Sequence, residues 1–356
     1  MKKPIVLMMS SVLRQPAPMF SVLFPSFGVG LSMLGVGRLL LFPVLRRPSS
    51  VILLLGALVL TGAGCSTPPK VVRTAPEIER NAAVARGAYA AGSAEKAAGY
   101  YRKALQRAQV MDSSSEIARN AYNLAACLAA LRQYAEAQAC LDEARMEFKR
   151  ANIPCRELPL LEAKIARAQG RTQDAISLAR AEQKKLNGEN DAILVQWHIL
   201  LAESLCDQNQ AASADTELAA IRPKQLQACG TDVQAETALT RARVQMLKRN
   251  PLAAALQYDI AARYCQEAGR YSDMVNALDQ AGHAYEDISN NPSAADRYYR
   301  AARSLFESGQ LARAHDLVGR ALPLAAASLQ PELQKQVERL KAEIDRQQQK
   351  VGAADK

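Results

Sequence analysis

The sequence predicts an all-α solenoid of helix–turn–helix repeats closed by a C-terminal capping helix. Three observations carry this. The residues Ala97, Ala137, Ala175, Ala214 and Ala254 lie 40, 38, 39 and 40 residues apart, and most are followed by apolar or small residues four and seven positions on. A period of this length marks an array whose units cannot bury their apolar faces alone and must stack. Aromatic residues make up only 5% of the 356 positions while alanine is abundant, which suits closely approaching helices. The period-two alternation of half-buried strands is missing.

The clearest unit runs from Ala262 to Ala281. Gly269 can take the left-handed conformation that ends a helix, and Ser272 is positioned to cap the next one. Met274, Leu278 and Ala281 form one stripe, and forty residues on Gly309, Ala314, Val318 and Ala321 repeat the pattern. Upstream, Gly92 precedes Ala97 and Gly170 precedes Ala175 in the same way. Met274 follows Ala254 by only 20 residues, a half-period slip that predicts a bend or phase change there.

Residues 1–64 read as a targeting region. They hold Lys2, Lys3, Arg14, Arg38, Arg46 and Arg47 and no acid. Arg46-Arg47 precede the short apolar run Val51–Leu60, then small residues lead to Cys65, the plan of a secretory signal. The run falls short of the roughly 20 residues of a spanning helix. The interrupted apolar stretch 4–44 suggests a true start downstream. Residues 65–77, with Pro68, Pro69 and Pro76, form a linker.

Helices then follow over 78–328. Ser113 with Glu116, and Thr231 with Gln234, offer capping boxes, while Asn250-Pro251 and Asn291-Pro292 pair a cap with a first-turn proline. Residues 329–349 place Leu333, Val337, Leu340 and Ile344 on one stripe, suiting a helix that covers the last repeat, and 350–356 is a tail. Without residues 1–64 the chain carries 39 basic and 35 acidic residues, a charge of +4, which gives no electrostatic case for nucleic acid.

Two resemblances follow from these residues. The segment ending Gly64-Cys65-Ser66 resembles the signal of bacterial lipoproteins, which implies lipidation of Cys65 and, by the residue after it, the periplasmic face of the outer membrane. Gly62 departs from that pattern, where an aliphatic residue is usual. The hairpins resemble tetratricopeptide repeats, with small residues at crossings, a turn glycine and an aromatic or Leu one turn after the anchor. The period nearer 40 than 34 departs from that family. The family implies a right-handed superhelix whose first helices line a groove for peptides or protein surfaces.

Eleven residues before the anchors stand Arg86, Lys164, Arg243, Arg263 and Arg303, with Ala126 and Glu203 as exceptions; eight before stand Tyr89, Arg167, Met246 and Phe306. On the family geometry this is a basic row with aromatic neighbours, suited to an acidic or C-terminal peptide. A solvated helix face is the alternative.

No catalytic set is found. His198, His283 and His315 lack metal-binding spacing, and Ser93-Ala94-Glu95-Lys96 has none of the companion motifs of a serine acyl enzyme. No cofactor, metal or nucleic acid is expected. Cys127, Cys140, Cys155, Cys206, Cys229 and Cys265 sit amid apolar helical positions, which favours free thiols. The expected function is a non-enzymatic, lipid-anchored scaffold for other envelope proteins. An accessory solenoid for glycan or wall fragments and, with the signal misread, a cytoplasmic repeat regulator stay open.

Overall fold

Most turns among the described residues solve the same problem, how to end one helix and start another within four residues. The computed structural model describes residues 76–186 and 192–354, with side chains through Lys350. The signal, Cys65 and most of the linker lie outside the described residues, as do the last two residues of the tail. Fifteen helices and no strand make up what is described. They are α1 (Pro76–Ala90), α2 (Ala94–Val110), α3 (Ser114–Ala130), α4 (Tyr134–Arg150), α5 (Leu158–Ala168), α6 (Thr172–Lys185), α7 (Ala192–Asp207) and α8 (Ala211–Ala219). The short α9 (Pro223–Ala228) precedes α10 (Thr231–Leu247), α11 (Pro251–Glu267), α12 (Tyr271–Glu286), α13 (Asn291–Glu307), α14 (Leu311–Ala327) and α15 (Pro331–Ala354). Apart from the α4–α5 junction and the α8–α10 region, successive helices pack as antiparallel hairpins, giving the all-α solenoid that the repeats predict.

Most of the described turns share one closure. A residue with positive φ follows the helix at Gly92, Asp112, Arg132, Asn152, Gly170, Asn209, Arg249, Gly269, Ser289, Gly309 and Leu329. At all of these but Leu329, where the Gln330 N–H donates to Ser328 Oγ, the next N–H reaches back to the carbonyl five residues earlier, as from Ser93 to Ala88, Gln133 to Leu128 and Arg270 to Cys265. This six-to-one bond is the Schellman closure of a helix end. Most of these turns use a side-chain-bearing residue where glycine would be unstrained, so the closure and the packing behind it outweigh that local cost.

Five residues after the turn, the anchors Ala97, Ala137, Ala175, Ala214, Ala254 and Ala314 are fully buried. A methyl in the first turn of the new helix lets its neighbour approach closely. The left-handed residues 249, 269, 289, 309 and 329 are 20 apart, so no residue is gained or lost where the slip was expected. Twenty residues separate successive helices, and the anchor motif recurs at both kinds of turn. Ala294, buried five residues after Ser289, continues the 40-residue series from Ala254. The true irregularity lies earlier, where α8 is cut to nine residues and α9 is inserted.

Several caps differ from expectation. Ser272 lies inside α12 and Arg270 occupies the cap position. Gly230, not Thr231, precedes α10, and the Gln234 amide instead donates to the Leu226 and Cys229 carbonyls. Ser93 and Ser113 sit at caps without a side-chain cap bond. Asn250 caps α11 through its side chain, accepting from Ala253 N–H at 3.3 Å, and Asn290 rather than Asn291 does the same for α13. The C-terminal helix runs on to Ala354, and its stripe of Leu333, Val337, Leu340 and Ile344 is buried in a core continuous with α10–α14.

Candidate functional site

Consecutive repeats present equivalent positions to one another, so charges at one repeat position meet across helices. On α5, Lys164 and Arg167 stand one turn apart; on α7, Glu203 and Asp207; on α10, Glu236, Thr240 and Arg243. Arg167 Nη1 donates to Glu203 at 2.6 Å and its Nε to Asp207 at 2.6 Å. Arg243 lies 2.8 Å from Asp207, and Lys164 Nζ donates to Glu236 Oε1 at 3.1 Å. Thr240 Oγ1 reaches Glu203 at 3.5 Å while bonding the Glu236 carbonyl at 2.8 Å. Burial lifts the Glu203 carboxyl above the usual carboxylate range; Arg167 opposes this and Glu236 adds to it.

Three cations and three carboxylates make this cluster locally neutral, and they fasten α5, α7 and α10 in one register. Lys164, Glu203 and Arg243 hold the same position in successive repeats, eleven before Ala175, Ala214 and Ala254. Glu203, an exception to the basic row in sequence, is a counter-ion within it. Lys164, Arg167 and Arg243 are therefore engaged by the protein's own carboxylates and do not present an open basic row.

The other predicted residues are dispersed. Arg86 on α1 is partly exposed and bonds Glu79 of its own helix at 2.6 Å. Burial pushes the Tyr89 phenol well above its ordinary range, with Cys127 adding and Arg270 opposing. Met246 and Phe306 pack against the C-terminal core. Arg263 and Arg303 are exposed, each over a tyrosine ring of its own helix: Tyr264 at 5.2 Å and Tyr299 at 5.5 Å. Arg243 on α10 and Arg263 on α11 belong to successive antiparallel helices, so the five basic positions form two sets, on α1, α5 and α10 and on α11 and α13.

Arginine also stitches neighbouring repeats elsewhere. Arg150 grips Asp112 with two bonds of 2.8 Å, 38 residues away. Arg297 grips Asp259 in the same fashion at 2.8 Å, again 38 residues away, while Tyr285 donates to that carboxylate at 2.9 Å. Arg270, ion-paired with Asp273, reaches Asp232 at 3.5 Å. Planar forks favour such two-point contacts. A basic residue about one repeat after an acid was the signal available in the sequence.

The histidines stay apart: His198 contacts Glu217 at 2.9 Å, His283 meets Arg320 at 2.7 Å and His315 lies 3.5 Å from Asp345. Among the described residues no group of three or more His, Cys, Asp or Glu is placed to hold a metal, and no helix is long and apolar enough to cross a membrane. The six described cysteines are free thiols.

No protein-family model and no curated protein matches the chain. Among matching solved structures is one described as the TPR2AB-domain:pHSP90-complex of yeast Sti1, at 15% identity and a TM-score of 0.28, covering 75% of this chain and 98% of that one. A superposition this loose decides nothing about ligands, and the solenoid rests on the helices themselves.

Proposed function

We propose that this chain is a scaffold, lipid-anchored through Cys65 at the periplasmic face of an outer membrane, that holds other envelope proteins against its helical array. The anchor reading rests on the signal-like sequence before Cys65. The binding reading rests on one observation. Where several arginines of the array are spent on stitching repeats, Arg263 and Arg303 stand 40 residues apart on α11 and α13, exposed and stacked on tyrosine rings. Arg263 has only Glu267, at 3.9 Å, as an ion partner among the described residues. A ring beneath a guanidinium orients it while leaving its N–H edge for a carboxylate. The partner segment is acidic, and no chemistry is required of the array.

Two experiments test this reading. Affinity capture from crosslinked cells, compared with a double Arg263→Glu, Arg303→Glu variant, should lose its main partner; unchanged capture overturns the binding surface. Membrane fractionation with palmitate labelling should show loss of label and membrane association in Cys65→Ala; a soluble, unlabelled parent protein overturns the anchor and favours a cytoplasmic regulator.

A further inference from the structure

A second surface lies between α12 and α14, the two helices that flank α13. His283, Glu286 and Asp287 line one wall and Gly319, Arg320, Pro323 and Leu324 the other, around a cleft of about 760 Å³. Its chemistry is set by three features. Pro323 sits inside α14 and has no N–H, so the Gly319 carbonyl one turn earlier loses its helical donor. Both residues line the cleft, which therefore carries a backbone acceptor. The Tyr298 hydroxyl, from α13, donates to Glu286 Oε2 at 3.0 Å and fixes that carboxylate at the rim. Arg320, the one cation on the walls, is drawn aside: its Nη1 donates to His283 Nε2 at 2.7 Å and lies 3.7 Å from Asp279. His283 Nε2 in turn lies 3.6 Å from Asp279, so Arg320 and His283 share that carboxylate behind the wall.

Two carboxylates, Glu286 and Asp287, thus stand beside the apolar surfaces of Pro323 and Leu324, while the Arg320 guanidinium is held by His283 and Asp279. We infer that this cleft takes a cationic side chain, arginine or lysine, from an extended segment of a partner protein. Its head engages Glu286 and the Gly319 carbonyl, and its methylene stem lies along Pro323 and Leu324, as long cationic side chains bury their stems on apolar surface. This deepens the scaffold reading and rests on it, but uses helices other than those carrying Arg263 and Arg303.

Gly319 supplies a test that changes no charge. A Cβ built there meets nothing within 4 Å, so a leucine fills open cleft rather than core. The probe is a fluorescein-labelled nonapeptide of alternating alanine and arginine, with its citrulline counterpart as the neutral isostere. Anisotropy is read on the full-length chain in detergent. The arginine peptide should bind, and citrulline, Glu286→Gln and Gly319→Leu should each weaken binding by about tenfold, the scale of one charge-assisted hydrogen bond. Thermal unfolding of Gly319→Leu should lie at or above that of the parent, since leucine is a better helix former than glycine and fills no core. Binding that survives Gly319→Leu is diffuse attraction to acidic surface and overturns the cleft, as does equal binding of citrulline or preference for a glutamate peptide. The double Arg263→Glu, Arg303→Glu variant should bind the probe as the parent does. Loss of cellular capture in that variant with retained probe binding separates failure of one surface from failure of the other.

Discussion

Lys164 on α5 and Glu236 on α10 meet at 3.1 Å, 72 residues apart in sequence, with side chains only 7% and 6% exposed. The pair bridges past α7, and Glu236 Oε2 is buried without a hydrogen-bond partner among the described residues. Removing one member strands the other charge. Lys164→Met should therefore destabilise the chain by about 3–5 kcal/mol. Replacing both, as Lys164→Met with Glu236→Leu, should recover most of that loss, since apolar packing often equals a buried pair. Urea unfolding of the single and double variants checks this, and an additive double variant would mean that the pair is not coupled.

Glu203 makes the same cluster pH-sensitive. Burial holds its folded pKa above that of a free glutamate, so between those two values the folded chain binds more protons than the unfolded chain. Stability then falls as pH rises through that window, which opens at about 4.3. Glutamine cannot ionise, so the stability of Glu203→Gln relative to the parent should improve steadily from pH 4 upward and level off once the parent carboxyl is ionised. Midpoints of urea unfolding across that range measure the difference, which would instead fall with rising pH were Glu203 ionised throughout in the folded chain.

The architecture was legible because a repeat states its packing several times over. Five alanine anchors and four turn glycines were enough to predict helical hairpins, and each anchor is buried. The phase was less legible, because Asp112, Arg132, Arg249 and Ser289 take the left-handed turn conformation as Gly269 does. Following glycines led to Met274 and Ala314 and passed over Ala294. The site was legible only by position. Equivalent spacing correctly grouped Lys164, Glu203 and Arg243, but whether like positions repel, pair or stay open depends on neighbours in space. Glu203 and Asp207 decided that on α7, and no one-dimensional pattern ranks a counter-ion above a ligand.

The thiols provide a chemical check on the interior. Burial pushes Cys127 up to about 12 and Cys140, Cys155, Cys206 and Cys265 up to about 11, and raises Cys229 as well. At pH 8 each is overwhelmingly the unreactive thiol, since the thiolate is the nucleophile. Iodoacetamide at that pH should modify these six slowly in the native chain and completely in denaturant without reductant, by intact mass. A requirement for reductant would reveal disulfides, and rapid native labelling would place these sulfurs at the surface.

Two glycines on the helices that flank α13, Gly282 on α12 and Gly319 on α14, should respond in opposite directions to the same substitution. A Cβ on Gly282 would lie 2.6–2.9 Å from ring atoms of Tyr298. That ring has no room to retreat: it is fully buried, its hydroxyl bonds Glu286, and His283 packs edge-on against it at 5.4 Å. Gly282→Ala should cost about 1–3 kcal/mol, the usual penalty for overfilling a packed core. Gly319→Ala meets no atom within 4 Å and should instead stabilise by roughly 0.5–1 kcal/mol, because alanine loses less backbone freedom on entering a helix. Thermal unfolding of the two variants reads both signs together. A loss in each would mean that α14 is as closely covered as α12, and the open space beside Gly319 would then be filled in solution.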